Sequence, residues 1–210
     1  MKAIETLKNL RFLTLLFAAI LVVSCSDDDD NPPEENIPEV FTDVTLVFTP
    51  TGGGTTVRAT AEDPDGEGIA DLMVNDEITL AANTTYTLTL EILNDLPDPD
   101  EDIGDEIAEE DDEHQFFFAF TDGAFSDPTG DGNIGASNAA DPINYMDEDS
   151  DAQDGSGNPV GLVTEWTTGD AQSGASFTIN LQHQPDVKTA TSTSEDGDTD
   201  FDLTFVLNIE

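Results

Sequence analysis

The 210-residue chain has one cysteine, two histidines, one tryptophan, two tyrosines and only five lysines and arginines together. A single cysteine excludes an intrachain disulfide, so any folded part must stand on its hydrophobic core, helped or not by bound cations. Of the five basic residues, Lys2, Lys8 and Arg11 crowd the N-terminus, leaving Arg58 and Lys188 to face all but one of the 47 acidic residues. Such a balance excludes nucleic-acid binding, which rests on basic side chains neutralising phosphates, and it disfavours anionic lipid surfaces. The field attracts cations instead, and it keeps the protein soluble where salt screens its self-repulsion. Catalytic signatures are missing too: there is no Gly-x-Ser-x-Gly elbow, no phosphate-cradling glycine loop and no zinc-protease motif. The scarcity of Trp and Tyr speaks against a sugar-binding cleft with paired carboxylates. The chain is not expected to be an enzyme.

Long hydrophobic runs are also lacking, apart from one. Phe12 to Val23 follows the three N-terminal cations and ends in Ser24-Cys25. At about a dozen residues it is too short for the roughly 20 of a spanning helix, and it reads as a secretory signal. Leu21-Val22-Val23-Ser24-Cys25 resembles the lipobox of bacterial lipoproteins, which implies removal of residues 1–24 and lipid on Cys25. Next come Ser26-Asp27-Asp28-Asp29-Asp30 and Asn31-Pro32-Pro33-Glu34-Glu35. Charge repulsion and proline keep such a stretch extended, so residues 25–39 are expected to be a disordered tether.

From residue 40 to 210 the apolar residues recur mostly at every second position. Val44, Leu46 and Phe48 alternate with polar neighbours, a Gly52-Gly53-Gly54 turn follows, and Val57, Ala59 and Ala61 resume the pattern. A shorter strand is expected from Leu72 to Leu80. Tyr86, Leu88, Leu90 and Ile92 carry the alternation on, as do Phe116, Phe118 and Phe120; Leu162, Thr164 and Trp166; Phe177, Ile179 and Leu181; and the odd positions from Phe201 to Ile209. One-sided strands need a partner sheet. The expected fold is a single all-β domain, an antiparallel immunoglobulin-like β-sandwich of seven or eight strands. Only 103–113 has a helical spacing, with Ile103 and Ile107 four apart, and it is read as a short helix or an acidic loop.

Period two places His114 on the face of Phe116, Phe118 and Phe120, at the start of its strand. It places His183 on the face of Phe177, Ile179 and Leu181, at the end of its strand. If the two strands are antiparallel neighbours, the imidazoles share one edge of the core, with Glu110 and Glu113 close in sequence to His114. Two imidazoles and a carboxylate suit zinc, copper or iron. The competing reading is two core-edge histidines bonded to backbone. Imidazoles more than about 8 Å apart exclude a shared ion, since metal–nitrogen bonds are near 2 Å. A second candidate chemistry is calcium, in the acidic loops of Asp63, Asp65 and Glu67 and of Asp147, Asp149 and Asp151, with a third run from Asp127 to Asn133. None completes an EF-hand, and Asp-Gly is also ordinary turn chemistry.

The lipobox with its acidic tether, Thr49-Pro50-Thr51-Gly52-Gly53-Gly54-Thr55, Leu80-Ala81-Ala82-Asn83-Thr84-Thr85-Tyr86 and Asp112-Glu113-His114-Gln115-Phe116-Phe117-Phe118 together resemble a family of small flavobacterial (Bacteroidetes) lipoproteins. Its members often carry the label "type 1 periplasmic binding fold superfamily protein". The resemblance covers most of the chain beyond residue 24. It implies an outer-membrane lipoprotein that accompanies a TonB-dependent transporter, with histidine at positions 114 and 183. The Ser-Asp-Asp-Asp run beside Cys25 resembles the surface-export signal of such lipoproteins, so a cell-surface location is expected, with the periplasmic face as the alternative. The label implies a two-lobed α/β binder of small ligands, whereas the chain lacks the strand–helix alternation for one. The expected function is non-catalytic capture of a metal ion or metal complex for the transporter. The alternatives are a structural or adhesive calcium-binding surface lipoprotein, or a periplasmic small-ligand binder.

Overall fold

In the computed structural model, which describes residues 39–66, 72–136, 142–147 and 157–210, the alternating segments are strands whose apolar sides meet. Cys25 and the rest of the expected tether before Glu39 lie outside the described residues, as do Glu67, Asp149 and Asp151. Seven strands have six or more residues: β1 (Asp43–Pro50), β2 (Val57–Glu62), β5 (Thr85–Asn94), β7 (His114–Phe120), β10 (Val163–Thr168), β11 (Gln172–His183) and β12 (Asp198–Ile209). Five more have two or three: β3 (Met73–Val74), β4 (Ile78–Leu80), β6 (Glu101–Asp102), β8 (Phe125–Asp127) and β9 (Asn144–Tyr145). The expected all-β architecture is therefore present, as two sheets in a sandwich.

One sheet runs β3-β2-β1-β5-β10-β8, with β6 beside β5 and β9 beside β10; the other runs β4-β12-β11-β7. Their inner faces are the alternating sets read from the sequence. Leu46, Phe48, Leu88, Ile92 and Trp166 come from the first, and Phe116, Phe118, Phe177, Phe205 and Leu207 from the second, all fully buried. Aromatic rings fill the centre edge to face, with Trp166 5.1 Å from Phe177 and 5.3 Å from Phe118. This geometry favours rings beyond the area they bury. The one polar atom Trp166 brings inside is satisfied, since its Nε1 donates to Thr164 Oγ1 at 2.7 Å.

Two departures from simple alternation matter. Leu72–Leu80 is not one strand: Met73–Val74 pairs with β2 in the first sheet, whereas Ile78–Leu80 runs parallel to β12 in the second. Asp76 breaks the run because its carboxylate accepts from the Thr60 backbone N–H and hydroxyl, which turns the chain across the sandwich. That crossing supplies the one parallel pair among the described strands. The 103–113 stretch resolves into a helix, α1 (Ile103–Glu109), followed by a turn. Asp102 caps it, accepting from Asp105 N–H, acidic residues fill its first turn, and Ile103 and Ile107 are buried. These are the residues a helix N-terminus favours.

β7, at the edge of its sheet, is covered on both faces. Gly132, at φ +111°, lies so close that a Cβ there would meet Phe118 O at 2.1 Å, so only glycine fits. Asn133 then accepts from the Phe118 N–H at 2.7 Å and donates to Tyr145 Oη. The edge backbone of β7 is thereby paired, which holds the strand that begins at His114. Among the described residues no helix is long and apolar enough to cross a membrane.

Candidate metal centre

β7 and β11 pair antiparallel with His114 directly opposite His183, the first residue of one strand against the last of the other. Residues so placed carry their side chains on one face about 5 Å apart. The two imidazoles stack, ring centroids 4.5 Å apart and planes within 6°. His114 is fully buried and His183 nearly so. The separation is well inside the limit for a common ion, but the parallel planes point the ring lone pairs along two sheets of space that do not converge. A shared ion therefore requires one ring to turn, and His183, at the strand end, is the less enclosed.

The turn after α1 carries the expected carboxylates to this edge. His114 N–H and Glu113 N–H both donate to Glu110 O, which winds Glu110 back over the ring. Glu110 Oε2 lies 3.7 Å from His114 Nδ1, and Glu113 Oε2 lies 3.2 Å from His183 Nε2. Lys188, the single lysine among the described residues, donates to the carbonyls of Asp111 and His114 and pins the turn from below.

Two further carboxylates meet the ring from its other side. Glu39 Oε1 is 3.2 Å and Asp200 Oδ2 is 4.0 Å from His114 Nε2. Neither was a candidate in the sequence. The sequence places Glu39 at the end of the tether, yet it belongs to the folded unit that starts at that residue. Phe41 packs edge-on against Phe201 at 5.2 Å and so holds Glu39 over the site. The apolar pair Val40-Phe41 directly after Glu39 was the available signal.

Asp200 has outward parity beside Phe201, so alternation sends it to solvent. A register shift reverses this: Leu181 pairs with Phe201 but Gln182 with Thr199, leaving Asp200 as the extra residue of a β-bulge. A bulge re-aims one side chain, and here the carboxylate turns to His114.

The contacts leave an incomplete polar balance. Despite the 3.2 Å to Glu39, no aligned hydrogen bond reaches either ring nitrogen of His114, and Asp200 Oδ2 is equally without one. The Glu39 carboxylate thus flanks the direction of the Nε2 lone pair rather than lying on it. Burial, followed by the charge of Glu39, pushes the Asp200 carboxyl up to about 7, against the pull of the two histidines. Burial works to lower the pKa of His114, but Glu39, Asp200 and Glu110 together outweigh it and raise it. For Glu39 burial acts upward and the imidazole of His114 prevails, so its carboxyl falls below the usual range. Two sets of donors result, each with its atoms within 4.8 Å of one another: Glu110, His114 and His183; and Glu39, His114 and Asp200. These His, Glu and Asp groups, gathered around the buried His114, can hold a metal ion.

The acidic loops use their carboxylates differently. Asp63 Oδ1 accepts from the N–H groups of Asp65 and Gly66, an Asx turn, while its Oδ2 is buried without a hydrogen bond. Asp147 spends both oxygens on the Gly161 and Val163 N–H groups and staples the loop to the start of β10. Asp127 accepts from Asn144 Nδ2. Comparison of the chain with family models, with curated proteins and with solved structures gave no match, so the functional reading rests on the geometry of the His114 cluster.

Proposed function

We propose that this protein is a non-catalytic, lipid-anchored envelope protein that captures a transition-metal ion or metal complex at the His114 cluster for an outer-membrane TonB-dependent transporter. The observation that carries the reading is a fully buried imidazole, both of whose nitrogens lack aligned hydrogen bonds, with carboxylate oxygens at 3.2, 3.7 and 4.0 Å. Leaving a buried polar group unpaired costs about 1–3 kcal/mol, and crowding buried carboxylates costs more. A cation bonded at about 2 Å to the ring and the carboxylates removes both penalties. Imidazole with carboxylate oxygen, and no thiolate among the described residues, suits zinc, copper or iron. The excess of acidic residues draws cations to the surface. The anchor rests on the run from Phe12 to Cys25, and the transporter and the outer membrane rest on the flavobacterial lipoprotein resemblance.

Calorimetric titration of the full chain in detergent with zinc and with copper tests the proposal. Binding that disappears in His114→Ala is the expected result. A chain whose melting curve and binding heats are indifferent to both ions sinks it.

A further inference from the structure

We infer that the cluster takes two cations, one on each ring nitrogen of His114, with the imidazole as the bridge between them. This rests on the metal-binding reading above and adds a number and an order of filling to it. The two nitrogens of one imidazole point away from each other in the ring plane and are bound separately. Nε2 faces Glu39 and Asp200, whereas Nδ1 faces Glu110 with His183 alongside. A carboxylate placed against one nitrogen cannot reach an ion held by the other, so the two donor sets describe two positions.

Distances support the inner position first. Donors of one tetrahedral ion with bonds of about 2.0–2.1 Å lie roughly 3.3 Å apart. Glu39 Oε1 is 3.2 Å from Nε2 and off its hydrogen-bonding direction, which is where a second ligand of an ion on that nitrogen belongs. Asp200 and Glu110, at 4.0 and 3.7 Å, need to close by less than an ångström.

Burial orders the two. The inner carboxylates expose 12% and 13% of their side chains, against 55% for Glu110. Charge–charge attraction is stronger where water is excluded, so the inner ion binds more tightly and the outer one exchanges at the rim. Formal charge also closes: Glu39, Asp200, Glu110 and a bridging imidazolate match the four positive charges of two divalent ions. Filling both positions leaves no ring proton on His114.

Copper(II) titration of the full chain in detergent, followed by calorimetry and electron paramagnetic resonance, decides it. The expected result is two equivalents: a mononuclear copper signal grows over the first and fades over the second as two ions couple through the ring. Asp200→Asn weakens the first equivalent by about 100-fold, the upper end of the 10–100-fold typical of losing an outer-shell partner, and leaves the outer one. His183→Gln removes the outer equivalent and spares the inner. Glu39→Gln poses the same question as Asp200→Asn should that variant not fold. One equivalent, abolished by His114→Ala, overturns the two-ion arrangement and leaves metal capture standing. Two equivalents with uncoupled spectra overturn the bridge, and no binding overturns both readings.

Discussion

Asp200 and His114 face each other across 4.0 Å although strand alternation puts them on opposite sides of the second sheet. The bulge between the Leu181–Phe201 and Gln182–Thr199 pairs turns the carboxylate inward. A buried acid beside Glu39 and an imidazole without an aligned hydrogen bond is unfavourable for folding alone.

Metal-free protein is expected to be most stable in mild acid. Asp200 has its carboxyl raised from 3.8 to about 7, so the folded state holds more protons than the unfolded one between those values, and stability falls as pH rises through that window. His114 has its pKa raised above 6.5, so its contribution is complete below 6.5 and is lost as pH rises through the folded value. Glu39 works oppositely, its contribution lost only as pH falls below 4.5 through its depressed value. With chelator present, the melting temperature should therefore drop between pH 5.5 and 8, and zinc should reverse the trend. A flat or rising curve in chelator contradicts this.

Asp200→Asn removes a buried charge while keeping the shape. At pH 8 without metal the variant should be more stable by about 2–4 kcal/mol, the size implied by a carboxyl raised some three pH units. Urea denaturation measures this, and the gain should shrink steadily as pH falls from 7, vanishing only near pH 3.8.

Lys188→Met leaves the Asp111 and His114 carbonyls without their ammonium donor. Hydrogen bonds to a charged group contribute about 1.5–3 kcal/mol each, so a loss of at least 2 kcal/mol is expected. Zinc affinity should fall as well, by about tenfold, because the turn positions Glu110. Unchanged denaturation midpoints would show that the lysine is ornamental.

Calcium at millimolar concentration should leave the melting curve where it is, because Asp147 already gives both its oxygens to backbone N–H groups. Asp147→Asn should cost about 1–2 kcal/mol whether or not calcium is present. A calcium-dependent rise in melting temperature that vanishes in Asp63→Asn would revive the calcium-loop reading.

Cys25→Ser should release the protein from the membrane fraction of its cells and abolish incorporation of labelled fatty acid. Retention of the variant in that fraction would remove the lipid anchor from the proposal.

The sandwich was legible because alternation is local: each strand declares its inner face through its own neighbours, as Phe177, Ile179 and Leu181 do. The same parity placed His114 and His183 at one edge of the core, and the β7–β11 pairing brought them opposite each other. Leu72–Leu80 reads as one strand in the sequence because the Asp76 contact that breaks it lies with Thr60, 16 residues away.

Composition and periodicity by themselves determined the cation deficit, the absence of a disulfide, the two-sheet architecture and the edge where the imidazoles meet. The tertiary structure alone decided that two more of the 47 acidic residues, Glu39 and Asp200, join Glu110 beside His114. Glu39 arrives through the packing of Phe41 on Phe201, and Asp200 through one extra residue in β12. Period two is written along the chain, but a bulge is a mismatch between two strands, and neither strand carries it alone.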